Sequence, residues 1–435
     1  MPHTENCDST ATLFHGRGSL KKSEFVLIEL YLGDCLEEMA GLPCDSVDSI
    51  VVDPPYGISF MAKKWDYNVP SVEVWEEALR VLKPGGHMLC ACGTRTQHRM
   101  VVNIEDAGFE IRDIVSWVYG SGFPKNLNIG KAIDKAAGAK RKVVGHDSSR
   151  VRPNRKYASG AIGNIGGTSK KSDRTDNGAT ITAPATEAAQ QWDGWGTALK
   201  PACEFFTLAR KPLSEKTIVA NVLKWGTGGI NIEQCRVGAP FISSGGSNFD
   251  AWREGENRED RPTAHKVAAS VTQTGRFPAN LIHDGSEEVL AVFPETKSGK
   301  MMPTHSNSQR GVYGRDAKNG FVTQESYGDQ GSAARFFYCA KASKSERNKE
   351  LPAGAKNNHP TVKPLALMRY LCRLITPPGG TVLDPYMGSG STGKAAVHEG
   401  FGFVGIEIDK SYFKVAQQRI EKAVARLEKL EKSEE

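Results

Sequence analysis

The sequence predicts an α/β fold in which helices cover both faces of a mostly parallel sheet. Short apolar runs alternate along the chain with segments whose apolar residues recur at helical spacing, as in βαβ units. The runs are unbroken and rich in β-branched residues, which is typical of strands buried on both faces. With 435 residues, 39% of them hydrophobic, the chain can bury a sizeable core and hold more than one domain.

The first half of the chain carries the clearest alternation. Residues 1–24 show no periodicity and are expected to form a loose tail. A helix that starts near Trp75 is predicted to stop at Lys83-Pro84-Gly85-Gly86. The predicted strands are 25–32, 50–52, 87–92 and 111–118. The predicted helices are 75–82 and 97–107, and residues 36–42 are expected to form a short helix or a turn.

The composition changes between residues 136 and 191, where Gly, Ser, Thr and Asn dominate. This segment is basic, and two interpretations stay open: contact with the phosphates of a nucleic acid, or a solvated loop. Its basic residues are Lys140, Arg141, Lys142, Arg150, Arg152, Arg155, Lys156, Lys170, Lys171 and Arg174, and its acidic residues are Asp147, Asp173, Asp176 and Glu187.

The alternation resumes with a strand at 204–208 and is interrupted once more. Residues 213–340 contain short strands and many turns without βαβ spacing, so an inserted lobe is predicted there. A final packing helix carries Phe413, Ala416, Ile420, Val424 and Leu427 on one face. The predicted organisation is a tail (1–24), two halves of the sheet domain (25–135 and 341–425), a basic flexible insertion (136–191), a return strand (192–212), the inserted lobe (213–340) and a charged end (426–435).

An acid, two prolines and an aromatic ring directly follow the strand 50–52. In Asp53-Pro54-Pro55-Tyr56 the prolines fix φ and lack N–H groups, so the carbonyls are held pointing outward. The Asp53 carboxylate and the Pro54 carbonyl can accept the two hydrogens of an exocyclic amino group, and Tyr56 offers a ring face to a flat base. A plain turn after a strand is the alternative interpretation.

The segment that follows, 57–70, is predicted to be a loop beside this turn. It combines basic and aromatic side chains in Lys63, Lys64 and Trp65, which suits a substrate with phosphates and flat bases. An ordinary packed loop is the alternative.

A glycine-rich turn between a strand and a helix permits three interpretations. Gly388-Ser389-Gly390-Ser391-Thr392-Gly393 fits a dinucleotide fingerprint, with Glu407 as the ribose-binding acid. It also fits a phosphate loop, although Ala395 stands where a magnesium-binding hydroxyl is needed. Asp384, at the strand end, repels phosphates but suits the ammonium group of S-adenosylmethionine, which favours the third interpretation, a methyl-donor site.

Composition narrows the class of protein. None of the nine cysteines forms a C-x-x-C pair, so neither a zinc site nor disulfides are expected, and no metal is predicted. The pair Pro43-Cys44 resembles the nucleophile of cytosine-C5 methylases, but Cys44 is interpreted as an ordinary loop residue. No apolar stretch is long enough to span a membrane and no secretory signal is visible, so a cytoplasmic protein of a bacterial or phage-infected cell is expected.

Taken together, the motifs resemble the DNA amino-methyltransferases, which use S-adenosylmethionine to methylate the exocyclic nitrogen of adenine or cytosine. Asp53-Pro54-Pro55-Tyr56 matches their catalytic motif and the segment 384–390 their cofactor motif. Asn358-His359-Pro360-Thr361-Val362-Lys363-Pro364 and Gly33-Asp34-Cys35 resemble two further motifs. Because the catalytic motif comes first, the chain resembles the permuted group called beta.

The resemblance implies a three-layer Rossmann-like methyltransferase fold with circularly permuted motif order and an inserted target-recognition lobe. It implies catalytic roles for Asp53, Pro54, Pro55 and Tyr56. It implies cofactor contacts by Asp34, Cys35, Thr361, Lys363, Pro364, Asp384, Pro385, Tyr386, Met387, Gly388, Ser389, Gly390, Thr392 and Glu407. DNA contacts are expected from Lys63, Lys64, Trp65, Arg152, Arg155 and Lys156.

The expected reaction is site-specific methylation of adenine N6 in double-stranded DNA, with cytosine N4 as the alternative. A nicotinamide-dependent oxidoreductase and a non-catalytic DNA-binding module are remote alternatives. A homodimer and a cognate restriction nuclease are two further candidate partners.

Overall fold

The computed structural model describes most of the chain, in two compact units. The first unit comprises residues 1–121 and 202–435, and the second comprises 122–201. The described residues are 27–59, 66–122, 126–146, 180–238, 241–242, 272–273, 275–298, 306–307, 320–321, 329–340, 357, 359 and 362–434.

The elements are numbered in chain order. The strands are β1 (Ile28–Leu32), β2 (Val47–Val52), β3 (Leu82–Gly93), β4 (Glu110–Val118), β5 (Lys142–His146), β6 (Thr180–Ala183), β7 (Cys203–Arg210), β8 (Phe241–Ile242), β9 (Thr272–Gln273), β10 (Leu281–His283), β11 (Glu295–Ser298), β12 (Ser306–Asn307), β13 (Gly320–Phe321), β14 (Asp329–Ser332), β15 (Tyr338–Cys339), β16 (Thr381–Asp384) and β17 (Gly402–Glu407). The helices are α1 (Cys35–Ala40), α2 (Val72–Val81), α3 (Gln97–Asp106), α4 (Ile129–Ala136), α5 (Glu187–Gln191), α6 (Ile218–Trp225), α7 (Glu287–Leu290), α8 (Leu365–Ile375), α9 (Ser391–His398) and α10 (Lys410–Glu434).

The first unit is built on one mixed sheet with the strand order β1-β17-β16-β2-β3-β7-β4-β10-β15. Among the described strands of this sheet, every pairing is parallel except those that β7 makes with β3 and β4. The predicted α/β fold with a mostly parallel sheet is therefore confirmed. The strand β2 precedes β16 in the chain by more than three hundred residues, yet the two are hydrogen-bonded neighbours.

Two hydrophobic clusters cover the two faces of this sheet. Val51 of β2 belongs to the cluster that includes residues of α8, α9 and α10, whereas Ile50 and Val52 belong to the cluster with α1, α2 and α3. Because successive side chains of a strand point to opposite faces, the apolar run at 50–52 feeds both clusters. The result is the predicted three-layer arrangement.

The helix α2 ends one residue earlier than the apolar spacing predicts. The Leu82 N–H still bonds to the Ala78 carbonyl, as in a helix, but the ψ of Leu82 is 135°, and the chain continues as β3. The inclusion of Leu82 in the helix was therefore wrong. Leu82 is fully buried in the strand. An apolar residue at this position fits a buried helix end and a buried strand equally well, so its apolar character did not indicate which of the two it belongs to.

The described parts of 213–340 group with the sheet unit, and the target-recognition lobe stays a prediction. The short strands β10 and β15 extend the sheet beyond β4. The helix α6 is fixed to the start of β3, because Asn221 and Thr227 both donate to the Pro84 carbonyl, at 2.8 and 2.6 Å. Strands of two or three residues are too short to show a period in the sequence.

The second unit extends beyond the predicted insertion at both ends, from 122 to 201 instead of 136 to 191. It contains α4, α5 and the hairpin of β5 and β6. The buried Asp134 joins them, because it accepts from Arg141 at 2.7 Å and from the backbone N–H groups of Ala185 and Thr186 at 3.0 Å each. The predicted DNA contacts Arg152, Arg155 and Lys156 lie outside the described residues.

The final helix, α10, packs as its sequence pattern predicts. Phe413, Ala416 and Ile420 are buried in the cluster that covers one face of the sheet. Within the described ranges, no helix is both long and apolar enough to cross a membrane.

Candidate active site

Acidic side chains gather at the carboxyl edge of the sheet. Asp53 follows β2, Asp34 follows β1 after one glycine, and Asp384 and Glu407 are the last residues of β16 and β17. Since β7 runs the opposite way, its second residue, Glu204, reaches the same edge, opposite the end of β3. The carboxyl edge of a parallel sheet is where ligands bind, so these acids mark a candidate site.

Residues 53–57, called the acidic turn, are held in place by side chains from elsewhere in the chain. The buried Asp66 carboxylate accepts from the backbone N–H groups of Tyr56 and Gly57, at 2.7 and 3.0 Å. The Thr96 hydroxyl donates to the Tyr56 carbonyl. Gly57 has a φ of +66°, a conformation that glycine adopts without strain. The turn is thus a fixed structure and not a free loop.

A buried lysine lies against the acidic turn. The Lys363 Nζ is 2.8 Å from each carboxylate oxygen of Asp53, 3.0 Å from the Tyr56 hydroxyl and 3.0 Å from Oε2 of Glu204. The Tyr56 hydroxyl donates in turn to Asp53 Oδ1 at 2.8 Å. These four side chains, called the carboxylate–lysine cluster, form one hydrogen-bonded network.

The charges of the cluster follow from its surroundings. Burial alone lowers the pKa of Lys363, but the charges of Asp53 and Glu204 outweigh it, so the pKa is raised and the ammonium stays charged. Burial first, and then the charges of Asp53 and Glu204, raise the pKa of Tyr56 well above its usual value. The tyrosine is therefore neutral, and its hydroxyl acts as a hydrogen-bond donor.

The structure places Lys363 on Asp53, whereas the resemblance implies a cofactor contact. Two members of the site's framework, Glu204 and Asp66, were missed in the sequence. Glu204 opens a predicted strand and would lie at the far edge of the sheet if that strand were parallel. Only its antiparallel direction brings it to Asp53.

Residues 384–390, called the glycine loop, are tied to the end of β17. The two carboxylate oxygens of Glu407 accept from the backbone N–H groups of Gly388 and Asp409, at 2.8 and 2.7 Å. Gly388 and Gly390 have φ values of +55° and +76°, and Gly390 caps the start of α9. Buried Arg419 donates to the Ser389 hydroxyl at 2.9 Å.

The two acids of the glycine loop region are buried carboxyls with raised pKa values. Burial raises the pKa of Asp384 to about 7, although the Thr392 hydroxyl and the Tyr386 N–H stabilise its anion. Burial likewise raises the pKa of Glu407 to about 7, although its anion accepts stabilising hydrogen bonds from backbone N–H groups. Such carboxyls suit a ligand that brings a cationic ammonium and hydroxyl donors, as S-adenosylmethionine does.

The remaining predicted cofactor residues that the structure describes lie within this loop or at the starts of α1, α8 and α9. Asp34 caps α1 by accepting from the Leu36 N–H at 2.9 Å, and buried Cys35 is hydrogen-bonded to the Tyr386 side chain. Pro364, Pro385, Met387 and Thr392 are buried. Thr361, Lys63, Lys64 and Trp65 lie outside the described residues.

Cys44 precedes β2 and so lies at the sheet edge opposite to Asp53. Its sulfur contacts Arg80 Nη1 at 3.4 Å. This position agrees with the interpretation of Cys44 as a loop residue and not a nucleophile. Within the part of the chain that the structure describes, no group of three or more His, Cys, Asp or Glu side chains could hold a metal ion.

The fold and the site define a class of protein, and comparison with known proteins identifies the family. A family model described as DNA methylase, of the N6 and N4 type, matches residues 47–217 and 247–418. The match covers well over half of the chain, so the protein belongs to this family of DNA methylases. The resemblance read from the motifs is confirmed, as is S-adenosylmethionine as the cofactor, which selects the methyl-donor interpretation of the glycine loop.

Curated relatives match over a short part of the chain. The DNA adenine methyltransferase YhdJ of Escherichia coli K12 is 44% identical over 66 residues, which are 15% of this chain and 22% of the relative. The type II methyltransferase M2.DpnII of Streptococcus pneumoniae is 43% identical over 63 residues, 14% of this chain and 24% of the relative. The chain thus aligns with only about a quarter of the length of these relatives.

Solved structures of DNA methyltransferases align with most of the chain at low similarity. The complex of M1.HpyAVI with S-adenosylmethionine covers 91% of this chain and 99% of its own, with 17% identity and a TM-score of 0.37. The cytosine-N4-specific PvuII methyltransferase covers 92% of this chain and 91% of its own, with 13% identity and a TM-score of 0.39.

Proposed function

We propose that the protein transfers the methyl group of S-adenosylmethionine to the exocyclic N6 nitrogen of adenine in double-stranded DNA. One observation carries the proposal. The acidic turn and the glycine loop leave the sheet from the neighbouring strands β2 and β16, which pair at Ile50 and Leu383. Neighbouring strands lie about 4.8 Å apart, so an amine held by the turn and a cofactor held by the loop can meet.

The acidic turn supplies the acceptors that the target amine needs. The Asp53 carboxylate and the Pro54 carbonyl accept the two hydrogens of the amino group, which directs its nitrogen toward the glycine loop. A base inside a duplex cannot reach this edge, so it has to be flipped out of the helix, where Tyr56 provides stacking area. S-adenosylmethionine, when bound, supplies an electrophilic methyl group.

Methylation of the amine releases a proton, and a residue of the acidic turn accepts it. The nitrogen forms a bond to the methyl carbon while the carbon–sulfur bond breaks, and the nitrogen then loses one hydrogen as a proton. Asp53 is the carboxylate next to it and accepts that proton. Catalysis here consists of positioning and charge placement, with acceptors fixed before the reaction begins.

Adenine is preferred over cytosine for two reasons. The order of aspartate first and tyrosine fourth in the turn resembles the adenine enzymes, and YhdJ, with which the chain shares part of its sequence, is an adenine methyltransferase. Cytosine N4 is the alternative, because the two acceptors of the turn could grip the amine of either base. A homodimer and a cognate restriction nuclease stay predictions.

The experiment is incubation of the purified protein with unmethylated DNA and S-adenosylmethionine, followed by digestion to nucleosides and mass spectrometry. We expect N6-methyladenine. Asp53→Ala should abolish it while S-adenosylmethionine binding stays within about threefold, because the cofactor is held by the other loop. Cys44→Ser, at the opposite edge of the sheet, is the matched control and should retain activity.

Other products would change the conclusion in defined ways. N4-methylcytosine alone would establish the alternative base and keep the mechanism. Methylation at carbon 5 of cytosine, lost in Cys44→Ser, would overturn the mechanism. Single-molecule sequencing of the same DNA would give the recognition sequence.

A further inference from the structure

The carboxylate–lysine cluster holds Lys363 against Asp53 in the ligand-free protein. An ammonium group has three hydrogens to donate, yet the Lys363 nitrogen lies within 3.0 Å of both Asp53 oxygens, the Tyr56 hydroxyl and Glu204 Oε2. Asp53 Oδ1 also accepts from the Tyr56 hydroxyl at 2.8 Å. Both oxygens of Asp53 are therefore engaged by the lysine before any base arrives.

This arrangement conflicts with the proposed role of Asp53. The target amine has to donate a hydrogen to the Asp53 carboxylate, whose two oxygens offer about four acceptor positions. Lys363 and the Tyr56 hydroxyl already take three of them, and the ammonium lies against both oxygens, where the amine has to approach. The ammonium cannot be left without a partner, because the Lys363 side chain is buried and an unpaired buried charge is strongly disfavoured. Entry of the base therefore needs a second acceptor that keeps the ammonium paired.

Glu204 has the right position to be that acceptor. Its Oε2 is already 3.0 Å from the Lys363 nitrogen, so only a small shift of the ammonium would be needed. Its other oxygen lies 3.5 Å from the Tyr119 hydroxyl, which helps to orient the carboxylate. Glu204 projects from β7, which is anchored between β3 and β4 and does not depend on the acidic turn.

We propose that Glu204 is a positioning residue that draws the Lys363 ammonium away from Asp53 when the target base enters the site. The proposal rests on the proposed function, since it assumes that an amine competes for Asp53. In the ligand-free protein the ammonium is shared between the two carboxylates. With the base in place it pairs with Glu204, and one Asp53 oxygen becomes available to the amino group.

The first test is Glu204→Gln, which keeps the shape of the side chain and removes its charge. The lysine then stays on Asp53, so the single-turnover rate of methyl transfer should fall about 10- to 100-fold. Affinity for S-adenosylmethionine should stay within about threefold of the unaltered protein, because the glycine loop is untouched. Glu204→Asp, which restores the charge on a shorter stem, should recover part of the rate.

The decisive test is the same substitution in a Lys363→Met background. Without the lysine, Glu204 is only a second negative charge beside Asp53, so Glu204→Gln should then cause no loss of rate, or a gain. This reversal of sign in a double-mutant cycle is specific to a residue that acts through Lys363. Glu110→Gln, on β4 and paired with Arg210 outside the site, is the matched control and should leave the rate unchanged.

The outcomes separate the two proposals. If the unaltered protein methylates DNA and Glu204→Gln lowers the rate equally in both backgrounds, or in neither, the role of Glu204 is refuted and the proposed function stands. If the unaltered protein methylates no base, both proposals fall. Thermal unfolding and S-adenosylmethionine binding of each variant identify any loss that arises from misfolding, and Glu204→Asp then carries the test.

Discussion

At the scale of single residues, the site depends on carboxyls whose ionised form is disfavoured by burial in the ligand-free protein. Asp384 and Glu407 have pKa values of about 7 because burial disfavours their anions. A cationic ligand that pairs with Asp384 favours the charged form, so binding must release a proton whenever the carboxyl starts out protonated.

We therefore predict that affinity for S-adenosylmethionine decreases as the pH falls from 7.5 to 5.5. Below a pH of about 7, the decrease should approach tenfold per pH unit for each carboxyl that must ionise. Isothermal titration calorimetry in buffers of different ionisation enthalpy would count the released protons. Asp384→Asn should bind more weakly with a flatter pH dependence, and an affinity of the unaltered protein that is constant over this range would contradict the assignment.

At the scale of elements, the two functional segments are short turns held by contacts from distant parts of the chain. The acidic turn relies on Asp66, and the glycine loop relies on Glu407 and on glycines with positive φ. Each turn can therefore be tested by removing its support and comparing it with a turn of similar construction elsewhere.

Asp66→Ala should lower both stability and methyl transfer. Two backbone N–H groups of the acidic turn would lose a charged acceptor, which should cost about 2 to 4 kcal/mol of unfolding free energy, and the turn would no longer hold Asp53 in place. The control is Asp284→Ala, because Asp284 also accepts from two backbone N–H groups, those of Gly120 and Ser286. The control should lose stability but keep its rate per folded molecule, as measured by chemical denaturation and single-turnover assays.

Gly388→Ala should damage the glycine loop more than its backbone strain alone explains. A Cβ at this position would lie 3.0 Å from the His359 ring, and φ is +55°. Gly379→Ala is the control, since its φ of +70° is equally unfavourable for alanine but nothing lies within 4 Å. We expect a loss of about 1 kcal/mol for the control and a larger loss, with weaker S-adenosylmethionine binding, for Gly388→Ala. Equal losses of unfolding free energy in the two variants would show that the His359 ring moves aside at no cost.

At the scale of the whole molecule, the basic segment can be tested without disturbing the unit that carries it. The β5–β6 hairpin pairs His146 with Thr180, so its two strands come together where the segment 147–179 begins and ends. Arg141 must be kept, because it binds the buried Asp134. Between residues 148 and 178, seven residues are Lys or Arg and two are Asp.

Replacement of residues 148–178 by a short Asn-Gly turn should leave the fold and S-adenosylmethionine binding intact. DNA affinity should fall, and its dependence on salt should flatten, because each lost phosphate contact removes about 0.9 from the slope of log K against log salt. Fluorescence anisotropy at several salt concentrations measures both. A variant of full length with the seven basic residues changed to Gln separates charge from length, and unchanged DNA affinity in both variants would show that the segment does not contact DNA.

The sequence by itself determined the α/β fold, the acidic turn and the glycine loop. Each is a local signal: an apolar run that ends in an acid, prolines that fix φ, and glycines that permit positive φ and close approach. Asp53, Tyr56, Asp384 and Glu407 could be selected as site residues because each stands at, or just after, the end of a strand whose burial the sequence already shows.

Only the tertiary structure decided which side chains surround Asp53. Lys363 contacts Asp53 from a position 310 residues away in the chain, and Glu204, 151 residues away from Asp53, joins it through Lys363. Asp66 supports the turn from a neighbouring loop. The physical reason is that an apolar run encodes the burial of a strand but neither its direction nor its neighbours. The antiparallel direction of β7 turns Glu204 toward the site, and that direction is fixed by pairing with β3 and β4.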